Sequence, residues 1–265
     1  MSIITLTTDF GLKDPFVGIM KGVILSICPQ VTLIDLTHNV TSQDIKEAAF
    51  VLAGAYRFFP KGTIHVIVVD PGVGSQRRPL LVETPNHFFI APDNGVLELI
   101  YQKEKVKVYH LNRSEYFLPQ ISATFHGRDI FAPVAAHLAH GVSPNALGEK
   151  ITDFVRLNWP YPESSGRRLR GEVVYIDRFG NLITNISKED FAKFIKPFGQ
   201  PASLCIHIKD ITLDHISPFY LAERPGTILA LWNSSDYLEI ACCLGNAKER
   251  LGVGVGEIVV VEIIV

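Results

Sequence analysis

The stretch IITLTTDFGLKDPFVGIMKGVILSICPQVTLIDL, residues 3–36, decides the fold class because it alternates short apolar runs with a segment of helical period. The runs Ile3–Thr7 and Val31–Leu36 are predicted to be buried strands, as is Thr63–Val69 further along the chain. Strands separated by helical segments need crossover connections, which are right-handed and produce a mainly parallel sheet with helices on its faces.

Two helices are predicted between these strands. Asp14 followed by Pro15 is typical of an N-cap and a first-turn proline, and the apolar period continues to about Ile27. Ser42 in the same way precedes a helical pattern over Ile45–Phe59, which ends before a proline. The N-terminal part is therefore predicted to be a three-layer α/β domain.

The following segment predicts a hairpin and one further helix. Leu80–Glu83 and His87–Ile90 are strand candidates joined by a short turn. Gly127–His140 has a helical pattern in which Pro133 marks either a kink or the true start of the helix.

A change in composition near Arg156 predicts a second, smaller domain. We expect an α/β domain over residues 1–158, a Pro- and Ser-rich linker over 159–170, and an all-β barrel or sandwich over 171–265. Two helical patterns accompany six strand candidates in this part: Gly171–Asp177, Leu182–Asn185, Ser203–Ile208, Thr227–Trp232, Tyr237–Ala241 and Glu257–Val265.

The composition excludes several classes of protein. Hydrophobic residues make up 47% of the 265 residues, which is typical of a folded chain and not of a disordered one. Lys and Arg number 25 against 27 Asp and Glu, so the basic excess of a phosphate-binding nucleic-acid partner is absent. The apolar runs are too short for a membrane span, and the N-terminus lacks a secretory pattern, so we expect a cytoplasmic protein without membrane partners.

Candidate chemistry lies where the predicted strands end. Asp9 and Asp70 each follow a strand and precede a glycine-containing turn, and open α/β sheets bind ligands beyond the carboxyl ends of their strands. Either aspartate alone is typical of an ordinary turn cap, but their matched placement favours a site. Arg77 can fold back onto Asp70 and pair with it. His126 stands between a predicted strand end and a helix, where an isolated histidine is more often a packed or surface residue.

The C-terminal half contains a second candidate at a turn. Asp177, Phe179 and Asn181 combine a carboxylate, an aromatic face and an amide that could stack on and hydrogen-bond a purine. The same residues also describe an ordinary hairpin turn with the aromatic ring in the core. The stretch Trp232–Asp236, which contains Ser234, is similarly ambiguous. It offers hydroxyl and amide donors suited to a carboxylate, and it also describes an ordinary turn between two strands.

Together these motifs resemble the S-adenosylmethionine hydroxide adenosyltransferase family, the hydrolytic relatives of fluorinase and chlorinase. The resemblance runs nearly from end to end and keeps the order of the family's motifs. It is carried by TTDFGLKDPFVGIMKGVI, VVDPGVGSQRR, IAPDNGVL, TFHGRDIFAPVAAHLA, IDRFGNLITNI and NSSDYLEIACCLGNA.

The resemblance implies hydrolysis of S-adenosyl-L-methionine to adenosine and L-methionine by attack of water on C5′. It implies that Asp70, Arg77 and His126 surround that water, without assigning the base to Asp70 or to His126. It also implies a homotrimer in which each active site lies between the N-domain of one subunit and the C-domain of the next. S-adenosylmethionine is then the substrate, and neither a cofactor nor a metal is expected.

The resemblance further assigns residues that bind the substrate. Asp9 would hold the ribose diol, Phe179 and Asn181 the adenine, and main-chain groups of residues 242–247 would assist. The remaining positions implied by the resemblance to bind the methionine portion or the nucleoside are Asp14, Asp70, Asp177, Ser234, Glu239, Asn246 and Ala247. The sequence departs from the family's polar residues at Cys242-Cys243-Leu244-Gly245, which leaves the adenine contacts open.

Three alternatives remain open at this point. The first is a halogenase that forms 5′-halo-adenosine, although fluorinase-like members have Tyr in place of Asp70, another residue in place of His126, and an extra loop. The second is a non-catalytic sensor of S-adenosylmethionine or adenosine. The third, a metal-dependent hydrolase, is disfavoured because the sequence contains no HxH or HxxxH pair.

Overall fold

The computed structural model describes residues 2–199 and 203–264. Outside this part lie Met1, residues 200–202 and Val265. Val265 is the last residue of the predicted strand Glu257–Val265. The chain divides into two compact units, Met1–Asn158 and Trp159–Val265. Within the described ranges, no helix is both long and apolar enough to cross a bilayer.

The first unit contains seven described strands and five α-helices. In chain order they are β1 (Ile3–Thr8), α1 (Phe16–Ile27), β2 (Thr32–Thr37), α2 (Ile45–Ala55), β3 (Ile64–Val68), β4 (Pro79–Glu83), β5 (Phe88–Pro92), α3 (Glu98–Lys103), β6 (Lys107–Leu111), α4 (Ala132–Ala139), α5 (Pro144–Leu147) and β7 (Gly148–Ile151).

These strands form one sheet in the order β2-β1-β3-β5-β4-β6-β7. Strands β1, β2, β3 and β5 pair in parallel, and β4, β6 and β7 pair antiparallel, so five of the seven described strands point the same way. Alternate residues of β3 enter different cores: Val66 packs in the cluster of Met20 from α1, and Ile67 packs in the cluster of Leu52 from α2. Helices therefore cover both faces of the sheet, which confirms the predicted α/β class.

The helix starts differ in detail from the prediction. Asp14 is not the cap of α1, because Pro15 occupies the N-cap position and no side chain caps the helix. Asp44, rather than Ser42, caps α2, since its side chain accepts from Glu47 N at 2.9 Å. An aspartate directly before the first helical residue has the better geometry for this bond.

The predicted helix Gly127–His140 consists of two parts. Gly127–Phe131 forms a π-helical turn, and α4 follows with Pro133 in its first turn. A proline fits there because its missing N–H has no partner in the first turn of a helix. Of the two predicted alternatives, a kink or a helix start, Pro133 therefore lies near the start of α4.

The second unit is built on one antiparallel sheet. Its elements are β8 (Glu163–Ser165), β9 (Arg168–Ile176), β10 (Leu182–Ser187), α6 (Lys188–Ile195), β11 (Ser203–Ile208), β12 (Ile211–Leu213), β13 (Ile228–Trp232), β14 (Tyr237–Cys242), α7 (Ala247–Leu251) and β15 (Ile258–Ile264).

Seven of its described strands follow the order β12-β11-β15-β9-β10-β14-β13, and β8 pairs with β9. Ser217 N donates to Ala230 O at 2.7 Å, so the segment after edge strand β12 approaches the opposite edge strand β13. The sheet is thus barrel-like and nearly closed, in agreement with the predicted fold class. Strand β8 and the start of β9 lie within residues 159–170, so much of the segment predicted as a linker is part of this sheet.

Candidate active site

Two aspartates lie at the carboxyl ends of neighbouring strands in the first unit. Strands β1 and β3 pair in parallel with Thr8 opposite Val68, and Asp9 and Asp70 follow these strands. Both aspartates line a cavity of about 380 Å³, together with His126. This is the sheet edge at which open α/β folds bind ligands.

Asp70 is paired with Arg77, as its position predicted. Arg77 Nε donates to Asp70 Oδ1 at 3.0 Å and Nη2 donates to Oδ2, so the pair is bidentate. The side chain of Asp70 is 5% exposed and that of Arg77 is 8% exposed. The guanidinium also lies 5.3 Å from the ring centroid of Phe131. Bidentate pairing fixes the plane of the carboxylate in a largely dry environment.

The loop that joins these residues requires a glycine at position 74. Gly74 has φ +78°, and a Cβ there would overlap the carbonyl oxygen of Ala123. The loop therefore packs directly against the segment that leads to His126. A larger residue at this position would separate the two halves of the cluster.

Arg77 also determines the protonation of His126. Nη2 of Arg77 lies 2.7 Å from Nδ1 of His126, and an arginine can only donate, so Nδ1 is the acceptor. Burial lowers the pKa of His126, and the positive charge of Arg77 lowers it further. The neutral ring then carries its proton on Nε2. The cluster thus offers a carboxylate acceptor and an imidazole N–H donor, the two partners that a bound water needs.

Three phenylalanines complete the wall of this cavity. Phe10, Phe16 and Phe125 meet edge to face, with ring centroids 5.3–5.9 Å apart. They were not singled out from the sequence. Phe10 directly follows Asp9 and Phe125 directly precedes His126, and this adjacency is the signal that could have found them. They reduce the access of water to the neighbouring carboxylates.

The second unit contains a separate cavity of about 650 Å³. Asp177 organises the turn beside it: Oδ1 accepts from the backbone N–H groups of Phe179 and Asn181, and Oδ2 accepts from the Asn181 amide, each at 2.9 Å. Its lining consists of Asp177, Phe179, Asn181, Tyr220, Cys242, Leu244, Gly245 and Asn246.

Apolar side chains at this cavity are left unusually open. Phe179 is 74% exposed and Leu244 is 77% exposed. The alternative that places Phe179 in the hydrophobic core is therefore wrong. An exposed aromatic ring beside a cavity is suited to stacking on a planar ligand.

Tyr220 is a lining residue that the sequence reasoning missed. Its hydroxyl donates to Oε1 of Glu239 at 2.8 Å, and Glu239 is buried. Burial raises the pKa of Glu239, and the nearby charge of Asp177 raises it further. No signal in the local sequence around Tyr220 connects it to this turn.

Five predicted site residues do not line either cavity in the described part of the chain. Arg77 is one of them, and it is connected to the first cavity through its bonds to Asp70 and His126. Asp14 lies exposed in the turn before α1, and Ser234 lies exposed in the turn between β13 and β14. Ala247 is buried as the first residue of α7, next to Asn246. Glu239 is connected to its cavity through Tyr220.

Among residues 2–199 and 203–264, no group of three or more His, Cys, Asp or Glu side chains has an arrangement that could hold a metal ion. In the active-site region, Asp70 and His126 are both bonded to Arg77.

Comparison with known proteins assigns the chain to a family. Sequence models of the SAM hydroxide adenosyltransferase N-terminal and C-terminal domains match residues 4–148 and 171–260. The chain is 33% identical to a Methanocaldococcus jannaschii protein named (R)-S-adenosyl-L-methionine hydrolase, over 96% of this chain and 93% of that protein. It is 31% identical to an Actinoplanes fluorinase over 90% of both chains.

A solved structure has the same fold. An uncharacterized conserved protein from Thermotoga maritima superposes with a TM-score of 0.89 at 33% identity, over 98% of this chain and 99% of that one. The two domain matches together cover most of the sequence, and they confirm the resemblance carried by its motifs. The chain belongs to the S-adenosylmethionine hydroxide adenosyltransferase family.

Proposed function

We propose that this protein hydrolyses S-adenosyl-L-methionine to adenosine and L-methionine. The observation that carries the proposal is the contact of one guanidinium, that of Arg77, with both Asp70 and His126 at a sheet edge. The name of the Methanocaldococcus relative supports the same reaction and specifies the (R) epimer for that protein. A pure binding protein would have no use for such a cluster.

In the proposed reaction the oxygen of a water molecule forms a bond to C5′ while the C5′–S bond breaks. The electron pair of that bond passes to sulfur, so the sulfonium becomes the neutral thioether of methionine. One proton of the water must leave, and bulk water is a very weak acid. A positioned base therefore has to accept that proton as the attack proceeds, which contributes ~10²–10⁴-fold.

We assign the base to Asp70 and the orienting role to His126. Nδ1 of His126 accepts from Arg77, so the neutral ring has no free lone pair and its Nε2–H donates to the water oxygen. Each oxygen of Asp70 keeps a second lone pair beside its bond to Arg77. The sulfonium is already a good leaving group, so the reaction needs neither metal nor cofactor.

The substrate would use both cavities. Asp9 and Asp70 would contact the ribose and C5′, and Phe179 and Asn181 would hold the adenine. Main-chain groups of 242–247, including those of Asn246 and Ala247, would assist with the adenine. The methionine portion would lie near Asp177, Ser234 and Glu239, with Asp14 at the outer edge.

We further propose that the two domains, residues 1–158 and 171–265, act across subunits of a homotrimer. Each unit contains one of the two cavities, and the residues around each cavity would make part of the proposed contacts with the substrate. The exposed Phe179 and Leu244 at the second cavity would be covered by a neighbouring subunit, which removes apolar surface from water. Such an enzyme would work in the cytoplasm, without nucleic-acid or membrane partners.

Product analysis tests the reaction. The purified protein is incubated with each epimer of S-adenosyl-L-methionine, with and without chloride or fluoride, and the products are separated by chromatography. We expect equal amounts of adenosine and methionine, independent of halide. A 5′-halo-adenosine as the main product would establish a halogenase, and binding without any product would establish a sensor.

A further inference from the structure

A buried histidine outside the catalytic cluster contacts the turn that carries Asp9. His38 is 4% exposed, and its Nδ1 lies 2.9 Å from Oγ1 of Thr8, the residue before Asp9. Oγ1 of Thr8 also accepts from the backbone N–H of Phe10, the residue after Asp9, at 3.2 Å. The Thr8 hydroxyl therefore connects the His38 ring to the backbone on both sides of Asp9.

The other side of the His38 ring faces a carboxylate. Nε2 lies 3.0 Å from Oδ1 of Asp35, whose Oδ2 accepts from Lys21 at 2.6 Å. The Asp35 oxygen lies off the axis of the ring N–H, so this contact orients His38 through charge rather than through a linear hydrogen bond. A carboxylate beside Nε2 favours the N–H at that position, and Nδ1 then accepts from the Thr8 hydroxyl.

The main chain of His38 also contacts the turn that carries Asp9. Its carbonyl oxygen accepts from Gly11 N at 2.7 Å, and Gly11 has φ +66°. The Asp9 carboxylate itself accepts from Gln43 N through Oδ2 at 2.8 Å. No residue in the described part of the chain donates a hydrogen bond to Oδ1 of Asp9. That oxygen is free for a ligand, and the backbone that aims it is fixed by His38.

We propose that His38 is a positioning residue for Asp9: through Thr8 and through its own carbonyl, it fixes the turn from which the Asp9 carboxylate meets the two ribose hydroxyls. Because Asp9 holds the ribose in the proposed function, this role of His38 rests on that function. His38 touches neither the substrate nor the reacting atoms, so its effect is on the selection of the diol.

The test measures the preference for a complete ribose diol. Adenosine and 2′-deoxyadenosine are titrated calorimetrically into the full-length wild-type protein and four variants, each first shown to be folded by thermal unfolding. Thr8→Val removes the hydroxyl at constant volume, and Thr8→Ser restores it. His38→Ala removes the ring, and His38→Asn restores an acceptor near the position of Nδ1.

We expect the wild-type protein to bind adenosine at least ~10-fold more tightly than 2′-deoxyadenosine, because the deoxy ligand lacks one hydrogen bond to a charged carboxylate. Thr8→Val and His38→Ala should lower this ratio at least threefold, and Thr8→Ser and His38→Asn should recover most of it. A purely structural role would weaken both ligands in proportion and leave the ratio unchanged, which would overturn the proposal.

The wild-type titration distinguishes a failure of the role of His38 from a failure of the ribose assignment of Asp9. If wild type discriminates and the Thr8→Val and His38→Ala variants keep the full ratio, the role of His38 is wrong and the proposed function stands. If wild type binds both nucleosides equally and still releases adenosine from S-adenosylmethionine, the ribose assignment of Asp9 is wrong, and the role of His38 falls with it.

Discussion

Arg77 and His126 are 49 residues apart in sequence, yet Nη2 of the arginine lies 2.7 Å from Nδ1 of the histidine. Because the same guanidinium pairs with Asp70, one side chain fixes the orientation of both groups that would hold the attacking water. The geometry of the cluster therefore depends on the forked shape of arginine and not only on its charge.

Replacing Arg77 by Lys should reduce kcat by ~10²-fold or more, because a lysine cannot bind Asp70 in two places and reach His126 at the same time. Steady-state assays of adenosine release measure the effect. Arg113→Lys is the matched control, since Arg113 is exposed and lies outside both cavities. A fully active Arg77→Lys enzyme would show that the fork has no role.

The pH dependence of turnover should report the state of His126. Burial and Arg77 lower its pKa below 6.5, so the neutral ring persists under weakly acidic conditions. Activity should fall only when the pH drops through this lowered pKa, because the protonated ring loses the bond from Arg77. His126→Gln, which keeps a donor near the Nε2 position, should lose this acidic limb. An unchanged limb in that variant would assign it to another group.

Gly74→Ala should both destabilise the protein and reduce turnover. The new Cβ would overlap the Ala123 carbonyl, in addition to the strain of φ +78°. Gly62→Ala is the control, because Gly62 has φ +88° with no atom within 4 Å of the added carbon, so only the strain of about 1 kcal/mol remains. Chemical denaturation should show a clearly larger loss for Gly74→Ala. Equal losses would contradict the close approach.

His65 should make the fold sensitive to acid. Burial lowers its pKa to about 3, with a smaller contribution from His87. The unfolded chain binds a proton near pH 6.5, so stability from the neutral ring is present above that pH and is lost as the pH falls towards 3. His65→Asn should flatten the slope of unfolding free energy between pH 6 and 4, by up to about 1.4 kcal/mol per pH unit. Parallel slopes would place the acid sensitivity elsewhere.

The alternation of strands and helices in the first unit could be predicted because each element has a strong local pattern. Strand β7, Gly148–Ile151, could not, because its two central residues are charged and exposed at the sheet edge. Helix α3 is only one and a half turns long, which is too short for a clear period. Both elements depend on tertiary contacts that a local pattern does not contain.

Part of the candidate site could also be predicted from the sequence. Asp9 and Asp70 follow from strand topology, and Arg77 follows from its closeness to Asp70 in sequence. His126 was singled out by a motif and not by any local rule. Tyr220 reaches its cavity from a segment distant from the Asp177–Asn181 turn, so only the folded chain shows its place. Phe16 is only seven residues from Asp9, but no local pattern indicates that its ring lines the same cavity.

A reaction in ¹⁸O-labelled water tests directly whether water attacks C5′ of S-adenosyl-L-methionine. Mass spectrometry of the isolated adenosine should show one ¹⁸O atom, at the 5′ position, and the methionine should carry no label. Adenosine without the label, or a 5′-halo-adenosine in its place, would contradict the proposed reaction.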